Sequence, residues 1–186
     1  MRKVLDVLLT VFILSCIGVV VLLLAAHNGA SYSGFFKVLD GDTLLNNGQK
    51  LRLIGIDAPE YSQECENSKG SWRCGRVSTQ KLQRIVHNAN NLICKGDQID
   101  KYARPLVTCY LGDKDINALM VLGGYAVAYG AYYAEEREAK AGGVGIWQGN
   151  FMQPQNWRRI HYGSINSGDV KTFFGNVWAM LSKLWS

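Results

Sequence analysis

No charged residue interrupts the chain between Val7 and Ala26. An apolar stretch of about 20 residues is what a helix needs to cross the hydrocarbon layer of a membrane. A signal-peptide core has about 7–15 apolar residues and ends at a small-x-small site, which Leu24-Ala25-Ala26 matches poorly. The run therefore reads as an uncleaved anchor in preference to a cleaved signal. Paired C-x-x-C motifs are lacking, and the three histidines, His27, His87 and His161, stand far from the cysteines in sequence, which argues against a zinc site. The histidines are expected on surfaces and receive no chemical role. No internal repeat or low-complexity tract is present, and 186 residues suit one domain with appendages.

Arg2 and Lys3 precede the apolar run, so the positive-inside rule keeps the short N-terminus in the cytoplasm and sends the remainder across the membrane. The net charge of +5 fits a polyanionic partner, and equally a solvated basic surface. With Cys16 inside the apolar run, Cys65, Cys74, Cys94 and Cys109 remain, an even number that suits an oxidising compartment. We expect Cys65 to pair with Cys74 across a short loop and Cys94 with Cys109 between neighbouring strands. If reduced, the four would be small apolar residues that report nothing about location.

Residues 33–45 are β-rich, Asn46-Asn47-Gly48 is a turn signal, and 49–56 alternate polar and apolar side chains, which together predict a hairpin. The polar segment 60–75 reads as a surface loop. A helix is predicted over 76–87, strands over 91–95 and 105–111, and helices over 116–122 and 134–141, the last stopped by Gly142-Gly143.

The chemistry concentrates in Asp40-Gly41-Asp42-Thr43, Arg52, Asp57, Glu60 and Asp100-Lys101-Tyr102-Ala103-Arg104. A phosphodiester resists attack because its oxygens repel a nucleophile, so cleavage needs positive charge on those oxygens and an aligned water. Guanidinium groups at Arg52 and Arg104 supply the charge, and a spare carboxylate at Glu60 serves a water. Arg52 and Asp57 are an odd number of residues apart, which puts them on opposite faces of a regular strand. They act together only if the strand bends or ends near Gly55. Duller readings stand beside these: Asp40-Gly41-Asp42 as a plain turn, Arg52 with Asp57 or Glu60 as a surface ion pair, and Tyr125, Tyr129, Tyr132 and Tyr133 as core or rim packing.

The ordered set Val38-Leu39-Asp40-Gly41-Asp42-Thr43, Leu51-Arg52-Leu53-Ile54-Gly55-Ile56-Asp57-Ala58-Pro59-Glu60 and Asp100-Lys101-Tyr102-Ala103-Arg104, with Asn117-Ala118-Leu119, Tyr129 and Gly145-Ile146-Trp147, resembles the thermonuclease or staphylococcal-nuclease-like family over residues 33–159. The resemblance implies an α+β fold, an OB-fold five-stranded Greek-key barrel with about three helices, here preceded by one transmembrane helix. It implies calcium-dependent cleavage of DNA and RNA to 3′-phosphate products. Asp42 and Asp57 are implied as calcium ligands with the carbonyl of Ala58, and Asp40 as a residue behind them. Glu60 is implied as general base, Arg52 and Arg104 as the phosphate clamp, and Tyr102 and Tyr129 as nucleotide contacts. Two ligating carboxylates imply weak calcium binding, about 10⁻⁴–10⁻³ M. Where the family commonly has glycines flanking the second arginine, this chain has Ala103 and Pro105, which narrows the backbone freedom beside Arg104.

The expected organisation is an anchor or signal over 1–30, the nuclease-like domain over 31–160, and a linker with an amphipathic helix over 161–186. In that tail Val170, Phe173, Phe174, Val177, Trp178, Leu181, Leu184 and Trp185 recur at the spacing of one helical face. The face suits either the outer leaflet or the protein's own surface. Expected partners are DNA or RNA and the membrane, with no obligate protein partner, and the expected location is the outer side of the cytoplasmic membrane. The alternative function is a non-catalytic OB-fold that binds nucleic acid or an envelope partner.

Overall fold

The structure, a computed structural model, describes residues 2–26, 29–89 and 91–163. His27 and the amphipathic tail beyond 163 lie outside the described residues. Helix α1, Arg2–Ala26, is the apolar run. Its side chains are described at Lys3 and over 8–21, where all are exposed. Among the described residues no helix is long and apolar enough to cross a membrane, so the fold does not show the expected span.

Strand β1, Ala30–Tyr32, leads to β2, Phe36–Val38. The β-rich stretch 33–45 holds two strands, since β2 stops at Val38 and Asp40-Gly41-Asp42 turns the chain into β3, Thr43–Asn46. Asn47 and Gly48 both take positive φ, 48° and 84°, and close a two-residue hairpin onto β4, Gln49–Leu53. That backbone matches strand twist and is why Asn-Gly marks such turns. After the bend at Gly55 comes β5, Ile56–Asp57. The segment expected to be a surface loop carries a small hairpin, β6, Cys65–Asn67, with β7, Gly70–Trp72, and the Cys65–Cys74 disulfide ties it to the next helix. Its strands are three residues long and mostly polar, too short to show a period.

Helix α2, Cys74–His87, buries Ser78, Thr79 and Leu82. Strand β8, Leu92–Ile99, extends past the expected end through the polar stretch after Lys95, because it pairs antiparallel with β9, Pro105–Leu111. Register sets Cys94 opposite Cys109, and the two are disulfide-bonded. Both expected pairings are thus present. The chain continues through β10, Lys114–Asp115, α3, Ile116–Leu122, β11, Val127–Ala128, and α4, Tyr133–Ala141. A 3₁₀ turn over Gly145–Gln148 and helix α5, Pro154–His161, complete the described chain.

The main sheet runs β1-β8-β9-β4-β3-β2, with β10 on β9, and β4 and β9 pair in parallel. The sheet is a curled half-barrel, in keeping with the expected α+β, OB-like fold. Strands β2, β3, β4, β9 and β8 keep an OB-like order, but β1 covers the outer edge of β8 in place of a closing bond to β2. Alternation in β4 sends Leu51 and Leu53 into a core shared with Leu44, Val107, Leu82 and Met120, and leaves Arg52 on the other face. That face is where the functional groups collect.

Candidate active site

The site assembles around the turn before β3. Asp40 Oδ1 accepts from the N–H of Asp42 at 3.1 Å, and the N–H of Leu53 donates to the carbonyl of Asp42 at 2.8 Å. Asp42 is therefore fixed to β4, where Thr43 faces Arg52 across the ladder. A Cβ on Gly41 would run into Ser78 Oγ of α2, so a side chain there would push this turn off the helix. Asp42 Oδ1 accepts from Arg52 Nη1 at 2.8 Å and from Thr43 Oγ1 at 3.0 Å, while Oδ2 accepts from the N–H of Ala58 at 3.1 Å.

The bend that Arg52 and Asp57 require is present. Gly55 has φ +80°, and a Cβ there would meet Ala131 and the Tyr132 ring at 2.8 Å. The turn brings Asp57 back toward β4, so that Arg52 Nη2 donates to Asp57 Oδ1 at 2.9 Å. Asn117 of α3 holds the bend from behind by donating to the carbonyls of Ile54 at 2.9 Å and Val107 at 3.1 Å. Glu60 is oriented by buried Gln63, whose Oε1 accepts from the Glu60 N–H at 3.2 Å and whose N–H donates to the Glu60 carbonyl at 2.7 Å.

Arg158 of α5 enters the same cluster. Its Nη1 donates to Asp57 Oδ1 at 3.0 Å and to Glu60 Oε1 at 2.9 Å, and its Nη2 donates to Asp57 Oδ2 at 3.0 Å. Sequence reasoning did not single it out, nor did it find α5. Pro154 at the first helical turn was the available signal for the helix. Nothing local distinguishes Arg158 from Arg159.

Arg104 lies just ahead of the neighbouring strand: Arg52 pairs with Leu106 of β9, two residues on from Arg104. Its guanidinium is held by Asp100, with Nε on Oδ2 at 2.8 Å and Nη2 on the same oxygen at 2.6 Å. Asp100 Oδ1 also accepts the N–H groups of Tyr102 and Arg104, both at 2.9 Å. Ala103 takes φ +59°, the left-handed conformation that the family's glycine would adopt freely. Tyr102 is exposed with the Arg104 guanidinium 5.3 Å from its ring centre. Tyr129 is exposed beside the bend, its N–H donating to the carbonyl of Gly55 at 2.8 Å. The structure thus joins Asp40, Asp42, Arg52, Asp57, Ala58 and Glu60 in one network and leaves outside it Arg104, half-buried on Asp100, and the exposed Tyr102 and Tyr129.

Burial pushes the Asp42 carboxyl up to about 6, against the pull of Arg52; Asp40 adds to the rise. Burial disfavours the charge on Arg52, yet Asp42 and Asp57 outweigh it and its pKa rises. Arg158 shows the same balance, with burial opposed and outweighed by Asp57 and Glu60. At Asp100 the N–H groups and guanidinium of Arg104 overcome burial and lower the carboxyl.

As arranged, these residues do not form the calcium site that the resemblance implies. Every carboxylate oxygen of Asp42 and Asp57 already accepts from an N–H, a hydroxyl or a guanidinium. Ala58 contributes its N–H to Asp42, whereas its carbonyl was the expected ligand. Among the described residues no three His, Cys, Asp or Glu side chains are grouped to hold a metal. Guanidinium groups stand where the cation was expected.

Residues 50–149 match the sequence profile of the staphylococcal nuclease homologue family, a span that includes Arg52, Asp57, Glu60 and Arg104 but not Asp42 or Arg158. The chain is 32% identical over 140 residues to the succinoglycan biosynthesis protein ExoI of Rhizobium meliloti, covering 72% of each chain. It is 34% identical over 154 residues to a protein of Haemophilus influenzae named an uncharacterized endonuclease, covering 76% of this chain and 80% of that one. Together with the ordered acidic and basic cluster at one end of the half-barrel, these matches show that the chain belongs to the staphylococcal nuclease homologue family.

Proposed function

We propose that the protein is a nuclease that hydrolyses phosphodiester bonds of DNA, RNA or both. The observation that carries this reading is the single network of Asp42, Arg52, Asp57, Glu60 and Arg158 on the face of β4 turned away from the core. A protein that only binds nucleic acid needs cations and aromatic platforms, and has no use for three carboxylates at the same place. The family match and the endonuclease name of one relative support the same class.

In this reading Arg52 and Arg104 turn from their carboxylate partners to the non-bridging oxygens of the substrate and withdraw charge as it builds in the transition state. Glu60 orients a water and takes its proton as oxygen attacks phosphorus. The bond to the 5′-oxygen breaks, the leaving oxygen is protonated from solvent, and a 3′-phosphate end remains. Tyr102 and Tyr129 offer faces on which bases stack. The calcium dependence that the resemblance implies requires a rearrangement of the cluster, since its carboxylates are engaged by guanidinium groups.

We place the domain on the outer side of the cytoplasmic membrane. The supports are the run without charge from Val7 to Ala26, the exposed apolar side chains along 8–21 and two disulfides of a kind that persist in oxidising compartments.

The test uses the full chain, purified in detergent under oxidising conditions, on denatured DNA and RNA beside a Glu60→Gln variant. Cleavage to 3′-phosphate ends is expected, and the variant should lose about 10²–10⁴-fold in rate. A folded protein that binds either nucleic acid without cutting it would instead identify a binding module.

A further inference from the structure

We infer that Gln63 is a positioning residue of the active site: its side-chain amide fixes the turn that aims Glu60 at the attacking water and couples that turn to the segment carrying Arg158. This rests on the nuclease reading of the site. Gln63 is fully buried, and both ends of its amide are used. Oε1 accepts from the Glu60 N–H at 3.2 Å, and Nε2 donates to the carbonyl of Met152 at 2.6 Å. The main chain of Gln63 is held as well, its N–H on the Glu60 carbonyl at 2.7 Å and its own carbonyl accepting from the N–H of Gly75 in α2 at 3.2 Å. A Cβ on Gly75 would run into the Glu60 carbonyl, so α2 packs directly on the same turn.

The segment just after the family-matched span lies along the Glu60 loop. The N–H of Glu66 donates to the carbonyl of Asn150 at 2.8 Å, Gln63 holds the carbonyl of Met152, and Arg158 of α5 then reaches Glu60 and Asp57 at 2.9–3.0 Å. Pro154 is the only buried residue of α5, so polar contacts such as these, more than apolar packing, place the helix against the site. Gln63 is the residue that touches both sides, the Glu60 turn and the strand of chain leading into α5. Only an amide serves both, because it offers an acceptor and a donor at fixed places on one rigid group. An ionised carboxylate keeps the acceptor and loses the donor, and an apolar side chain has neither. A misplacement of about 1 Å in a group that must align a water is enough to slow a reaction about 10²-fold.

A double-substitution cycle on the full chain, read by steady-state cleavage of denatured DNA, tests this. Gln63→Met keeps the length of the side chain and removes its polar atoms; it should lower kcat about 10²-fold and leave KM nearly unchanged. Placed on Glu60→Gln, the same substitution should cause almost no further loss, because its effect passes through Glu60. A merely structural role would instead multiply the two losses, and multiplied losses, or a raised KM with kcat intact, overturn the inference. Gln63→Glu loses only the donor to Met152 and should show the same pattern to a smaller extent; it replaces Gln63→Met in the cycle should that variant fail to fold. Amide hydrogen exchange of the same proteins gives a second readout that needs no cleavage. Exchange over 60–66 and 150–161 should rise together, about tenfold, with β8 and β9 unaltered. Unaltered exchange over 150–161 counts against the coupling. Failure of the nuclease reading shows instead as a wild type that does not cleave while the two segments still loosen together.

Discussion

Burial makes Asp42 a reluctant anion. Its carboxyl, pushed up to about 6 from the ordinary 3.8, keeps its proton better in the fold than in the unfolded chain. Such a group favours folding at low pH and withdraws that contribution as pH rises through the folded value. The stability of the wild type relative to Asp42→Asn should therefore fall by on the order of 3 kcal/mol between pH 4 and pH 7. Urea titrations of both proteins across that range check it, and a flat difference would show that Arg52 compensates the burial fully. At the same scale, most residue identities of the cluster were legible in the sequence, because each sits inside a short ordered motif. What the motifs did not give is which partner each residue holds: Asp42 takes the N–H of Ala58, and Arg104 turns to Asp100.

Among the elements, α3 fixes the bend on which the site depends. Asn117 is fully buried, donates to Ile54 and Val107 and accepts the N–H of Cys109 at 3.2 Å. Asn117→Ala removes the partners of the Ile54 carbonyl and the Cys109 N–H, while the Val107 carbonyl keeps the N–H of Ile54 at 2.9 Å, and should cost about 3 kcal/mol in chemical denaturation. The variant should also cleave more slowly than its stability predicts at temperatures where it remains folded, since Ile54 carries the turn toward Asp57. Helix α3 and the Asn47-Gly48 hairpin were legible because each is encoded by its own residues: a capped apolar period in one, two positive φ angles in the other. The β6–β7 hairpin was not, because its short strands are fixed by the Cys65–Cys74 bond and by neighbours such as the carbonyl of Asn150, which accepts from Glu66.

For the whole molecule, the Cys94–Cys109 bond joins the two longest strands of the sheet across 15 residues of sequence. The paired Cys94→Ala, Cys109→Ala replacement should lower stability by about 3 kcal/mol by enlarging the unfolded ensemble, read as a lower urea midpoint that reductant no longer shifts further through this pair. The pairing of cysteines was legible because the two strands are near neighbours in sequence. The open shape of the sheet was not, because a strand's period says which face is buried and not which edge closes on which.

The sequence alone determined the turns, the amphipathic periods, the disulfide partners and the roster of acidic and basic groups, all of which are set by interactions among residues close along the chain. Only the tertiary structure decided that the curled sheet stays open and that Arg158 meets Asp57, 101 residues away. The physical reason is that a long-range ion pair has no local signature. Any of the 20 lysines and arginines has a charge that would suit Asp57, and the placement of α5 beside the Glu60 turn is what adds Arg158 to Arg52 there.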